Sequence, residues 1–137
     1  MKPNKKQQRT GTINRIYRMV CAQFTLNAGD TEFPSLDILH RLRGNTAYFV
    51  SGADYIIHDG KIEIAVDDFI KHGKIDTLLL IQALSKELAF YKLSEGKTPS
   101  QFMDETHFAE VNADGYTDHE IHAIKISKMV TYKITNK

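Results

Sequence analysis

Lys2, Lys5, Lys6, Arg9, Arg15 and Arg18 all fall within the first 29 residues, and no carboxylate precedes Asp30. Lysine and arginine gathered without counter-charge neutralise phosphates, and they do so even from a segment with no fixed geometry. From Asp30 to Glu120 the balance reverses, to seventeen acidic against eight basic residues. From Ile121 onward Lys125, Lys128, Lys133 and Lys137 have no acidic companion. A formal net charge of +1 therefore conceals blocks of +6, −9 and +4. Segregation of this kind bears on partners rather than on fold. The basic block suits a nucleic acid or another polyanion, against the simpler reading of a solubilising tail. The acidic block suits a basic protein groove, including one that normally holds nucleic acid, against that of an ordinary solvated exterior.

A second group of residues has the types needed for metal chemistry. Two of the six histidines lie in Asp118-His119-Glu120-Ile121-His122, and imidazoles with carboxylates are the usual ligands of zinc and related ions. In a strand Asp118, Glu120 and His122 share a face; in a helix Asp118 and His122 do, as do His119 and His122. The spacing differs from the H-E-x-x-H of metalloproteases, and a further ligand has to come from elsewhere, with His107 the candidate. A solvated polar turn is the plainer alternative. His40, His58 and His72 have structural explanations: His40 near a helix C-terminus, His58 beside a turn, His72 ahead of Gly73 in a loop. None has a serine or cysteine close in sequence to form a nucleophile–base pair.

Other chemistries find little support. Cys21, the lone cysteine, forms no internal disulfide and sits among Met19, Val20 and Ala22 as a small apolar residue. No phosphate-binding or dinucleotide-binding glycine motif occurs, so no cofactor is expected. No apolar run approaches the ~20 residues of a membrane span. The basic N-terminus is not followed by the apolar core of a signal peptide, which places the expectation in the cytoplasm. Ile121, Ile124, Ser127 and Val130 have something of a helix-turn-helix rhythm, but no glycine marks the turn.

The elements that must position these residues are read from periodicity and punctuation. Residues 1–10 are polar and basic with no apolar anchor, which predicts a flexible arm ahead of a single domain over 11–137. Thr12 is placed to cap a helix with Ile13, Ile16, Tyr17, Val20 and Phe24 on one stripe, and with Arg15 and Arg18 pointing to solvent. Pro34 and Ser35 open a short helix carrying Leu36, Leu39 and Leu42 and closed by Gly44. Ala47–Val50 reads as a strand. Tyr55–His58 and Lys61–Val66 flank Asp59-Gly60 and read as a hairpin with a type I′ turn. Asp76 caps a long core helix to about Glu95, and Thr98-Pro99-Ser100-Gln101 opens another short one. At the C-terminus a Thr117-x-x-Glu120 capping box argues for helix, while alternation through Ile124, Ile126, Val130, Tyr132 and Ile134 argues for strand; the strand is favoured.

These readings combine into an α+β domain. A small antiparallel sheet, made of the hairpin around Asp59-Gly60 and a C-terminal strand, packs on three or four helices. Functionally they lead to a small non-catalytic binding or regulatory protein that contacts nucleic acid or a nucleic-acid-handling protein. The contacts are assigned to Lys2, Lys5, Lys6, Arg9, Arg15 and Arg18. An exposed sheet edge or the first helix makes a homodimer possible. Two alternatives stand beside it. One is an inhibitor of the phage or mobile-element type that occludes a partner's basic cleft with the acidic block. The other is a metal-dependent hydrolase centred on Asp118, Glu120 and His122.

Overall fold

The computed structural model describes residues 4–24, 33–41, 60–93 and 117–136. In chain order these form α1 (Lys5–Phe24), β1 (Ser35–Leu39), β2 (Lys61–Ala65), a 3₁₀ turn (Val66–Phe69), β3 (Ile70–Lys71), β4 (Lys74–Ile75), α2 (Thr77–Leu93) and α3 (Asp118–Thr135). The class is α+β, with helices around short strand pairs. The expected strands over 47–50 and 55–58 and the short helix opening at Pro99 lie outside the described residues.

The long core helix forms where its punctuation places it. Asp76 accepts the Leu79 N–H on its Oδ1 at 3.1 Å, satisfying one of the donors a helix start leaves open. From Leu80 to Phe90 every residue except Gln82 is buried, so α2 is covered on all sides rather than along a stripe. It packs against α3 and α1 and touches the 3₁₀ turn. Leu84, Leu88 and Phe90 are fully buried, and each such side chain contributes about 1.5–3 kcal/mol relative to its exposed state.

Helix α1 starts earlier than Thr12. Asn4 accepts the Gln7 N–H at 2.8 Å, and Gln7 returns its side-chain oxygen to the Asn4 N–H at 2.9 Å. This reciprocal capping box sets the first turn at Lys5. Thr12 is interior, its hydroxyl donating to the Gln8 carbonyl four residues back. Lys5, Lys6 and Arg9 therefore lie within α1 rather than ahead of it, while Lys2 lies outside the described residues. The stripe itself is as expected: Ile13, Ile16 and Val20 are buried, with Tyr17, Cys21 and Phe24 packed beside them.

Two expectations are corrected. Residues 35–39 are a strand, not a helix, because Leu36 and Ile38 turn inward in alternation with the exposed Ser35 and Asp37. That strand pairs with Lys61–Ala65 in parallel, Ser35 opposite Lys61 and Leu39 opposite Ala65; the expected hairpin partner of Lys61–Ala65, residues 55–58, lies outside the described residues. Second, the C-terminal segment is a helix. Ala123, Ser127, Val130, Thr131 and Ile134 are buried at helical intervals, and Tyr132 is left outside. Packing of this face on α2 overrides the β-preference of its isoleucines, a preference that itself reflects context.

His40 is likewise not at a helix end. It follows β1, where its Nε2 lies 3.0 Å from the Thr10 hydroxyl and ties the strand to α1. Beside it Arg41 pairs with Glu63 of β2 at 3.2 Å.

Gly11 stands within α1, and a Cβ added there meets nothing within 4 Å. Glycine inside a helix is about 0.5–1 kcal/mol less favourable than alanine. Gly11→Ala is therefore expected to raise the thermal midpoint by roughly 2–5 °C. Circular dichroism melts of the two proteins check this, and a lower midpoint would contradict a continuous α1 through residue 11.

Candidate anion-binding cleft

The only hairpin among the described residues is built at His72-Gly73. Ile70 pairs with Ile75 and Lys71 with Lys74 across the turn. His72 (φ 53°) and Gly73 (φ 77°) both have positive φ, as a two-residue type I′ turn requires. Asp76 anchors the far side, its N–H donating to the Phe69 carbonyl at 2.7 Å. The turn is thereby held at the start of α2 and against the N-terminal half of α1. One Arg9 N–H donates to the Gly73 carbonyl at 3.2 Å and joins the two.

Between them lies a cleft of about 300 Å³. Lys5, Gln8, Arg9 and Thr12 line it from α1; on a helix these positions, spaced by three and four, share one face. Gly73, Lys74 and Ile75 line it from the hairpin, and Thr77 from the first turn of α2. Three cations thus converge on it, and no carboxylate is among its described lining residues. Arg9 has five N–H donors and uses one on Gly73. Lys5 also stands at the positive end of α1, whose first turn has no acidic residue. An anion in the cleft relieves repulsion that the fold itself creates.

Of the six basic residues singled out in the sequence, the structure brings Lys5 and Arg9 to this cleft. Lys6 is exposed beside it. Arg15 and Arg18 are exposed on the part of α1 turned away from Ile13, Ile16 and Val20 and do not line the cleft. Lys74 was missed because it stands inside the acidic block of the chain. The legible signal was the Ile-Lys-His-Gly-Lys-Ile run, in which apolar residues flank a glycine turn, where the sequence reading saw only a loop. The C-terminal lysines Lys125, Lys128 and Lys133 are exposed on α3, with Met129 and Tyr132 exposed among them.

Several described residues of the acidic block are engaged within the fold. Glu87 is fully buried in α2, Glu63 pairs with Arg41, and Asp76 caps α2. The metal-type constellation changes too. Residues 118–122 are helical and not a strand, so the expectation that alternate residues share a face does not apply there. Asp118 and His122 are exposed, His107 lies outside the described residues, and no group of three potential metal ligands forms among those described. No described helix is long and apolar enough to cross a membrane.

A buried polar group lies between α1 and α2. The Tyr17 hydroxyl donates to the Pro34 carbonyl at 2.5 Å. Burial, then the proximity of Cys21, Tyr91 and Glu87, keeps this phenol protonated far above its ordinary range. Tyr17 is thus unavailable to stack on a base. Burial also pushes the Cys21 thiol up to about 11, against a partial lowering by its hydrogen bond with Tyr17. No protein-family model, curated protein or solved structure matches the chain.

A thiol held this high is a poor nucleophile, since the thiolate is the reactive form. The pH at which iodoacetamide labels Cys21 at half its maximal rate is expected to rise from about 9, the ordinary value, to about 11 in the folded protein. The folded state holds this proton more tightly than the unfolded state. Stability linked to the thiol is therefore full below pH 9 and lost as pH climbs through 11. Rapid labelling at pH 8, equal to that in urea, would show an exposed thiol instead.

Proposed function

We propose that this protein is a small non-catalytic nucleic-acid-binding module, which holds backbone phosphates in the cleft between α1 and the β3–β4 turn. The observation that carries the reading is the convergence of Lys5, Arg9 and Lys74 on one concave site with no described carboxylate in its lining. A cleft focuses potential between low-dielectric walls, whereas a cation on a convex helix face is screened by water on most sides. Arginine offers a planar fork to phosphate oxygens and lysine a point charge, so the site combines orientation with attraction. Gln8 adds a side-chain amide able to donate to the same oxygens. Arg15 and Arg18 extend the positive field along the outside of α1 and steer approach rather than hold the ligand. No base-reading element is assigned, and binding of this kind is governed by phosphate count and salt rather than by sequence.

Fluorescence anisotropy with a labelled random-sequence duplex, read over a salt series, tests this. Lys5→Gln/Arg9→Gln/Lys74→Gln is expected to weaken binding at least about tenfold and to flatten the log–log salt slope by about 2 to 3, as loss of three phosphate contacts requires. Arg15→Gln/Arg18→Gln is expected to cost less than about threefold, as removal of exposed charges in high dielectric does. If the triple variant binds like the wild type, or if the outer pair proves the more damaging, the cleft is not the phosphate site.

A further inference from the structure

A second cavity, of about 200 Å³, opens between the 3₁₀ turn, α2 and α3 and shares no lining residue with the basic cleft. Phe69 and Leu79 form one part of its wall, Ala83 and Ile124 another. Ser127 also reaches it, but its hydroxyl donates to the Gln82 carbonyl at 3.0 Å and is satisfied within the protein. Such walls offer water few partners and favour an apolar occupant; a cavity of about 150 Å³ accepts benzene. The larger volume here leaves room for a short chain or a ring plus part of a head group.

The charges at the cavity decide what that head group is. Lys86 and Lys128 are the only charged residues among its described lining, and both are positive. Lys86 is almost wholly buried and has a partner of its own within the protein. Lys128 lines the cavity and is exposed, so its charge is open to solvent and to a bound head group. We infer that this cavity is a binding site for a small hydrophobic carboxylate, its chain against Phe69, Leu79, Ala83 and Ile124 and its carboxylate on Lys128. A neutral alcohol of the same length would fill the cavity without the ion pair. An amine would meet two like charges. The site is independent of the phosphate cleft, so it stands or falls separately from the proposed function.

Methyl-resolved NMR titration of the full chain with hexanoate, hexanol and hexylamine tests the assignment. Hexanoate is expected to saturate with shifts centred on Leu79, Ala83 and Ile124. Hexanol is expected to bind about fivefold more weakly, the upper range for an exposed ion pair, and hexylamine more weakly still. Lys128→Gln, at an exposed position that leaves the core untouched, should weaken hexanoate by the same factor and leave hexanol unchanged. Equal affinity for acid and alcohol, or an unaltered hexanoate affinity in Lys128→Gln, would remove the head-group assignment and with it the inference. Shifts elsewhere, or none up to the solubility limit, would remove the site itself.

Discussion

Burial of α2 on nearly all sides is the constraint from which the rest of this structure follows. A helix with an apolar stripe needs one neighbour, but a helix buried from Leu80 to Phe90 at every residue except Gln82 needs cover in nearly every direction. Helix α3 supplies one side and α1 another, with the 3₁₀ turn beneath its start. The requirement is strict because the buried run is not wholly apolar: Ser85, Lys86 and Glu87 go in with it. Buried polar groups cost several kcal/mol unless they find partners. The polar side chains of Tyr17 and Cys21 on α1 lie in the same region, with Tyr91 and Glu87 of α2 near the Tyr17 phenol. The interface between α1 and α2 is thus specified by polarity as well as by shape.

The same constraint positions the cleft. Asp76 is a cap for α2 and, through its own N–H on Phe69, a clamp on the segment that precedes it. With both ends of that segment tied, the His72-Gly73 turn has no latitude, and Lys74 is carried towards α1. Helix α1 is in turn held on α2 by Ile13, Ile16 and Val20, which fixes the rotation of Lys5 and Arg9. Core packing thus sets the backbone positions from which Lys5, Arg9 and Lys74 line the cleft.

How much of this was legible in the sequence depends on which level of structure decided each element. Helix α2 was legible because local and tertiary signals agree: a capping aspartate, strong helix formers and an apolar content that only a core can accommodate. The stripe of α1 was legible for the same reason, but its start was not, since Asn4 and Gln7 make a capping box that a string of charges disguises. Residues 35–39 have leucines at intervals of three and apolar residues at intervals of two, and the choice between those periods falls to the pairing with β2. In α3 the β-branched alternation is real, and the outcome was set by the complementary surface of α2, which no local window contains. The cleft was half legible. Its α1 residues stood out by charge, whereas Lys74 enters by a tertiary route.

Ordering of the basic residues changes what they can achieve. Cations on a flexible arm must be immobilised as they bind, and each long side chain and its backbone lose freedom at that moment. The backbone at Lys5 is set in α1 by the Asn4–Gln7 capping box, and the Arg9 side chain is tied to Gly73. Groups placed in this way have less freedom left to lose on engaging a ligand than those of an unstructured segment. The charge segregation along the chain is in this sense a poor guide to the surface. Lys5 and Arg9 come from the basic block and Lys74 from the acidic one, yet they face the same space. Glu87, formally part of the acidic block, contributes nothing to the exterior because α2 keeps it inside. Folding sorts charges by face rather than by position in sequence.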